Sequence, residues 1–426
     1  MRRKRPLPID HTHAPSLTSW VASANTPGCD FPIQNLPLGI FSIADGTPRG
    51  GVAIGDQVLD IGLAMAHGLL RGAAAEAASG PSLRPLMALG RAASAELRHN
   101  VSALLAAGAH PHPELLHPQS AIRMHLPGEV RNFSDFMASY DHCARLGAAR
   151  DPKNPLPPAF HHLPVAYHSR ASSVRPSGTD VRRPWGQYVK DGEIVYAPTG
   201  TMDFELELGI WIAGENEQGE PTPISLADQR LFGFCLLNDW SVRDIQRYEM
   251  PPLGPFLGKS LHTSVSPWVI TAEALAPFAT ALPPRQAGAP PCPPHLTSGR
   301  PDGLSIQMQA ALQTPAMADP HVITSAPFQN MYWTPAQMVA HHTSNGCNLL
   351  PGDLLGSGTV SGPAEGGEAC IAELLLRGPI QLPNGESRRY LEDGDTIIFT
   401  GQAHAPGATP IGFGECRGTI LPAHKA

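Results

Sequence analysis

The sequence predicts a mainly β protein of α+β class, rich in loops and divided into a small N-terminal and a larger C-terminal domain. Three observations carry that expectation. Of 426 residues, 46 are proline and 42 are glycine, about a fifth of the chain. Both residues break helices, so a coiled coil, a helical bundle and a long helical repeat are excluded. The share still falls below the roughly 25–30% typical of low-complexity disorder, and 42% hydrophobic content is enough to build cores. The third observation is the stretch 201–212, where apolar residues alternate with a period of two, the signature of a strand.

Taken in order, residues 1–29 read as a polar tail. It carries the basic cluster Arg2-Arg3-Lys4-Arg5, and no apolar run long enough for a signal peptide or a membrane span follows it. Residues 30–118 form the expected N-terminal domain. Asp30 to Ile61 is a series of short strands between turns, with Gly55-Asp56 as a hairpin turn, which suits a small β-barrel or sheet module. From about Leu63 to Ala107, Ala, Leu and Arg recur with helical spacing interrupted by Gly80-Pro81, predicting two or three helices. His110-Pro111-His112-Pro113 then marks a boundary near residue 118. Residues 119–426 form the second domain, with strands expected over 353–359, 369–376 and 396–400. The Pro-rich tract 277–303 lacks periodicity and reads as an insertion loop.

Charge and cysteine content narrow the function. Thirty Lys and Arg against 37 Asp and Glu give a net charge of −7, no footprint for nucleic acid. Neither a nucleic-acid nor a membrane partner is expected. The seven cysteines are odd in number, widely spaced and never in a C-x-x-C arrangement, so neither a zinc site nor a disulfide framework is indicated. A cytoplasmic protein with reduced thiols is expected.

Within the alternating stretch, Met202, Phe204, Leu206, Leu208, Ile210 and Ile212 are apolar, while Asp203, Glu205 and Glu207 project from the opposite face. Same-face neighbours on a strand lie roughly 7 Å apart, so their charges repel unless water or a cation intervenes. Two readings stand: a solvated face, or a site for a hard cation that takes carboxylate oxygens. Asn238-Asp239 ends an apolar run read as a buried strand. Ser241-Val-Arg-Asp244 matches a capping box, and a helix from there places Arg243, Gln246, Arg247 and Met250 on one face. Ser134 is positioned as an N-cap, and in the helix it would start, Asp135, Ser139 and His142 share a face. Gly254 to Ser260 falls one residue short of a phosphate loop. His341-His342, near the end of a helix, reads as structural.

Several long segments resemble the fumarylacetoacetate hydrolase family: Asp30 to Ser42, Tyr167-His-Ser-Arg-Ala-Ser-Ser173, Asn238 to Gln246, Pro252 to Ser260, Ser344-Asn-Gly-Cys-Asn348 and Ile411 to Cys416. The resemblance implies an SH3-like N-terminal barrel, a C-terminal mixed β-sandwich roll, a homodimer, and a Mg²⁺ or Ca²⁺ ion. It implies metal ligands at Asp135, Glu205, Glu207 and Asp239, with Lys259 and Thr263 beside the ion. It further implies a general base at His142 held by Glu373 in a strand, catalytic polar groups at Arg243, Lys259 and Gln246, and substrate contacts at Arg150, Tyr167, Gln246 and Thr359. The implied activity is hydrolysis of a carbon–carbon bond in a β-diketo acid, yielding fumarate and acetoacetate from the family's own substrate in tyrosine and homogentisate degradation.

Three positions depart from the family pattern. Met137 and Met250 stand where Tyr is usual, and His262 replaces a Gly before Thr263. Methionine cannot donate the hydrogen bonds the two tyrosines would give to substrate, and a site built on buried donors discriminates strongly. The substrate-contacting set implied here therefore includes Met137 and Met250. An acylpyruvate-type diketo acid is one alternative substrate, decarboxylation or isomerisation of a keto acid an alternative reaction, and a silent binding protein a third reading. Retention of His142 and Glu373 favours hydrolysis, since activating water needs a base.

Overall fold

Gly55-Asp56 closes a hairpin between the strands Arg49–Ile54 and Gln57–Asp60, with Gly55 at a φ of 58° that suits glycine. The computed structural model that shows this describes residues 8–300 and 302–425; the basic Arg2-Arg3-Lys4-Arg5 cluster lies outside them. Asp60 ends the hairpin by capping the next helix, its carboxylate accepting the Leu63 N–H at 3.0 Å. The antiparallel sheet has five strands in the order Leu116–Pro118, Gln57–Asp60, Arg49–Ile54, Leu38–Ile43, Ile122–His125. Its last strand thus lies beyond residue 118. Four helices cover it, Ile61–Ala66, Ala73–Ser79, Arg84–Leu89 and Arg91–Leu105. They are more numerous and shorter than expected because Gly72 and Gly90, at φ of 92° and 80°, interrupt the helical pattern alongside Gly80-Pro81.

The described part of the expected tail is not loose. Arg98 is buried inside the Arg91–Leu105 helix, and a buried guanidinium must find acceptors. Residues 12 and 34–35 supply them: Arg98 donates to Thr12 Oγ1 at 3.0 Å, to the Asn35 carbonyl at 2.7 Å and to the Gln34 carbonyl at 2.6 Å. Val21 and Ala24 enter the same core as this helix, so residues 8–29 form a strap over the N-terminal domain.

The C-terminal part is built on two sheets, giving a strand-rich, mixed α/β chain as a whole. The larger runs Ala166–His168, Phe133–Phe136, Leu354–Gly356, Leu206–Ile212, Leu231–Asp239, Thr263–Val265, Val174–Pro176, with Ile270–Thr271 added beside Leu231–Asp239. The smaller runs His321–Pro327, Ile306–Gln313, Thr396–Ala403, Ile411–Leu421, Val181–Arg182. Leu206, Leu208, Ile210 and Ile212 face the smaller sheet in one core, while Trp211, Cys235 and Leu237 face the N-terminal domain in a second. The central strands are thus buried on both faces.

Three local expectations are corrected. Phe133–Phe136 is a strand and not the start of a helix, because it pairs in parallel with Leu354–Gly356 and buries both phenylalanines; the helix begins at Tyr140, capped by Ser139. Residues 369–376 hold the short helix Ile371–Leu374, not a strand. Arg243–Glu249 is a helix as expected, but Val242 is its N-cap and Ser241 lies in a strand paired with Asp203. The 277–303 loop has little regular structure, and it is pinned at two points: Leu296 is fully buried, and the Arg285 guanidinium lies 4.5 Å over Tyr332. Among the described residues no helix is long and apolar enough to cross a membrane.

Gly147 lies in the Tyr140–Arg150 helix, where a Cβ would collide with the Pro155 carbonyl oxygen. Alanine would gain about 1 kcal/mol of helix propensity, but overpacking against rigid backbone costs about 1–3 kcal/mol. Gly147→Ala is therefore expected to be destabilising, read as a lower urea midpoint at unchanged slope.

Candidate active site and metal centre

The larger sheet brings three acids together at one end of its inner strands. Asp135 lies one residue before the end of Phe133–Phe136, opposite Gly356, Glu207 lies near the start of Leu206–Ile212, and Asp239 ends Leu231–Asp239 opposite Thr263. Each is nearly or fully buried, and one oxygen from each falls within 4.8 Å of the others. Burial and the neighbouring Asp239 charge push Asp135 well above the usual carboxylate range; burial, Asp135 and Asp239 do the same to Glu207. The Tyr167 hydroxyl stands 2.8 Å from Asp135 Oδ2 and 2.7 Å from Asp239 Oδ2. A phenol has one proton to donate, so it cannot satisfy both.

Asp135 Oδ1, Glu207 Oε1, Asp239 Oδ1 and the hydroxyl of Thr263 are all buried without a hydrogen-bond partner among the described residues. Orphaned oxygens around a cluster of like charges are what a hard cation would satisfy. A cradle is also present: a Cβ on Gly356 would collide with Asp135 Oδ1 and come within 3.0 Å of Glu207 Oε2. The donor set is all oxygen, which suits Mg²⁺, Ca²⁺ or Mn²⁺ over softer metals.

The strand that carries the acids is broken, and the break divides their partners. Met202–Asp203 pairs with Ser241–Val242, whereas Leu206–Ile212 belongs to the larger sheet. Glu205, at the break, has both oxygens engaged: Oε1 with Arg243 Nη1 at 2.8 Å and Oε2 with Lys259. Burial alone would raise Glu205, but Lys259, Arg243 and His142 hold it down to about 2. Lys259 also donates to Asp239 Oδ2 at 2.7 Å; burial opposes its charge, yet Asp239 and Glu205 raise it above the usual lysine value. Asp203 faces Arg243 and not the three acids, 2.7 Å from its Nε. Neither a solvated face nor a single row of cation ligands describes these three carboxylates.

A second cluster adjoins the first. His142 Nδ1 lies 2.9 Å from Glu373 Oε2, both buried. Glu373 further accepts from Ser361 Oγ at 2.6 Å and from Arg145 Nη1 at 3.3 Å. Burial would raise the Glu373 carboxyl, but His142, Ser361 and Arg145 bring it down to about 2. An ionised carboxylate can only accept, so the hydrogen of its bond to His142 is on Nδ1 of the imidazole. Sequence reasoning missed Arg145 and Ser361. Arg145 lies three residues after His142 in the same helix, a spacing that was legible; Ser361 carried no signal.

The positions expected to contact substrate divide. Tyr167 borders the acids and Gln246 borders Arg243, its Oε1 accepting from Arg243 Nη1 at 3.0 Å, while Thr359 is buried next to Gly358, whose amide donates to Glu207 Oε2 at 2.9 Å. Met137 and Met250 are half-buried, the first in the linker between strand and helix, the second ending the Arg243–Glu249 helix. Arg150 is exposed at the end of the Tyr140–Arg150 helix, about 12 Å along it from His142 at 1.5 Å per residue, so it is not brought into either cluster. His262 is buried, and burial and Arg175 lower it to about 4, which keeps it neutral.

The family model described as "Fumarylacetoacetase N-terminal" matches residues 34–127, and that described as "Fumarylacetoacetate (FAA) hydrolase C-terminal" matches residues 131–421. The chain belongs to the fumarylacetoacetase family. It is 43% identical to the fumarylacetoacetase of Homo sapiens, covering 92% of this chain and 97% of that one, and 44% identical to that of Caenorhabditis elegans with the same coverage. A solved fumarylacetoacetate hydrolase from psychrophilic Exiguobacterium antarcticum superposes with a TM-score of 0.52 at 16% identity, covering 91% of this chain and 100% of that one, a likeness of fold. The buried acids, Lys259 and the His142–Glu373 pair all lie within the C-terminal family segment.

Two outcomes are expected. Gly356→Ala should fill the cradle: calorimetric titration with Mg²⁺ or Mn²⁺ should show the wild type binding and the variant binding more than about 10-fold weaker, with unchanged circular dichroism. Glu373, ionised down to about 2 in the fold against 4.5 for a free carboxyl, contributes stability that is fully present above about pH 4.5 and lost as pH falls through about 2. The wild-type advantage over Glu373→Gln in urea midpoint should therefore shrink between pH 6 and pH 2, by on the order of 3 kcal/mol.

Proposed function

We propose that the protein is a metal-dependent hydrolase that cleaves the carbon–carbon bond of fumarylacetoacetate to give fumarate and acetoacetate, the closing step of tyrosine and homogentisate breakdown. The observation that carries this reading is the juxtaposition of an ionised carboxylate–imidazole pair, Glu373 and His142, with a buried cluster of oxygen donors short of positive charge. The fold is read at finer grain as the family's SH3-like barrel followed by its β-sandwich roll, the assembly as a homodimer, and the location as the cytoplasm.

In this reading Asp135, Glu207 and Asp239 hold a divalent cation, with Thr263 and Glu205 beside it. When bound, that cation would supply Lewis acidity toward the diketone oxygens. The chain's own residues perform the proton chemistry. His142 takes a proton from water at Nε2, and Glu373 stabilises the imidazolium through Nδ1. The hydroxide attacks the acyl carbon, and the electron pair of the breaking bond passes to the leaving carbon as an enolate. Lys259, Arg243 and Gln246 lie where they can hold that negative charge; Arg243 Nη2 is buried with no partner among the described residues. The leaving carbon takes up a proton, so water is divided between the two products.

His142→Ala should lower turnover by about 10²–10⁴-fold while Mg²⁺ affinity stays within a factor of about two. Purified protein with Mg²⁺, Mn²⁺ or Ca²⁺ and a panel of diketo acids, followed by mass spectrometry, tests the reading itself. Fumarate and acetoacetate are the expected products; release of carbon dioxide without them would overturn hydrolysis. Met137→Tyr with Met250→Tyr tests specificity. If the methionines have shifted preference toward a related acylpyruvate, the double variant should move the kcat/KM ratio back toward fumarylacetoacetate by about 10-fold or more.

A further inference from the structure

The first carboxylate of the alternating stretch is left outside the metal cluster, yet it is fully buried and makes more contacts than either of its neighbours. Asp203 Oδ2 accepts from Arg243 Nε at 2.7 Å and from the Ala372 amide at 3.0 Å; Oδ1 accepts from the Ile371 amide at 2.7 Å and from the Phe204 amide at 2.8 Å. Ile371 and Ala372 open the short helix that carries Glu373. One carboxylate therefore joins the backbone of the Glu373 helix to the guanidinium of Arg243.

The link continues. Arg243 Nη1 reaches Glu205 Oε1 at 2.8 Å and Gln246 Oε1 at 3.0 Å, Glu205 Oε2 meets Lys259, and Lys259 reaches Asp239 Oδ2 at 2.7 Å. With Nε and Nη1 committed, the planar guanidinium is fixed in orientation, and its Nη2 is the arm left without a partner among the described residues. The short helix that carries Glu373, the partner of His142, and the metal cluster thus share one hydrogen-bonded frame, and Asp203 touches both that helix and Arg243.

The geometry points to Asp203 as a positioning residue that aims the free Nη2 of Arg243 at the reacting oxygen and holds it in register with the Glu373 helix. The assignment rests on the hydrolase reading for its kinetic consequence, but the contacts can be tested apart from it. Asp203→Asn keeps size and shape while removing the charge that pairs with Arg243. It is expected to lower kcat by about 10–100-fold, with KM within about threefold and Mg²⁺ affinity unchanged. Because the residue acts through Arg243, the double variant Asp203→Asn, Arg243→Lys should be about as slow as Arg243→Lys alone. Additive losses would overturn the assignment.

The readout independent of activity is NMR. The Arg243 Nε–H should exchange slowly in wild type and rapidly in Asp203→Asn, and the Ile371 and Ala372 amides should lose protection with it. Unchanged exchange would overturn the proposal even if turnover fell. Should Asp203→Asn fail to fold, Arg243→Lys tests the link from the other end: exchange at Ile371 and Ala372 should quicken, and if it does not, the coupling is absent. Wild-type protein that leaves fumarylacetoacetate intact would sink the hydrolase reading while the exchange data still decide the role of Asp203.

Discussion

The constraint on which the rest of the structure depends is the burial of Asp135, Glu207 and Asp239 at one end of the inner strands of the larger sheet. Bringing like charges together away from water is costly, and such a cluster persists only when protons or cations compensate it. Lys259 and the Tyr167 hydroxyl compensate part of it, and the raised proton affinities of Asp135 and Glu207 show that much remains. The surrounding architecture opposes relaxation. The strands bearing these acids are packed between two cores, one against the smaller sheet and one against the N-terminal domain. The acids cannot swing outward to water without disrupting one of them.

Placement decides what each carboxylate does. Glu205 and Glu207 are two residues apart, yet the first is held down to about 2 and the second is pushed well up. Burial acts on both in the same direction; the difference is that Glu205 has Lys259 and Arg243 on its oxygens, whereas Glu207 has Asp135 and Asp239 for neighbours. Glu373 repeats the Glu205 pattern, with His142, Ser361 and Arg145 overcoming burial. The site therefore contains carboxylates held ionised by partners and carboxylates left needing a counter-charge. Asp135 and Glu207 are of the second kind, and a cation would supply the charge they lack.

Much of this was legible in the sequence. The period of two at 202–212 told correctly which residues face the core, and the hairpin at Gly55-Asp56 followed from its turn residues. What was not legible depends on tertiary contacts. Ser134 and Ser139 are both acceptable N-caps by local rules, and only the pairing of Phe133–Phe136 with Leu354–Gly356 decides for Ser139. The Ile371–Leu374 helix is a single turn, too short for periodicity to show, and its first amides are satisfied by Asp203, distant in sequence. The break in the strand at Phe204-Glu205 has the same origin: Asp203 pairs with Ser241 while Leu206 pairs with Asn238. The motifs that carried the family resemblance named the acids, but not which of them lie together.

Stability alone does not account for the ion chain from Asp203 through Arg243, Glu205 and Lys259 to Asp239. Replacing a buried ion pair by well-packed apolar groups is often neutral or stabilising, while removing one partner costs about 3–5 kcal/mol because a charge is stranded. A chain of this length is thus fragile to single changes and dispensable to a stable core. Apolar packing, however, cannot orient a guanidinium so that two nitrogens are committed and the third is not, nor hold a lysine between two carboxylates beside a third and a fourth. Those arrangements fix direction, and direction matters where charge develops on a reacting oxygen. The buried charges are accounted for by what they orient: Asp203 and Glu205 fix the guanidinium of Arg243, and Glu205 and Asp239 fix the ammonium of Lys259.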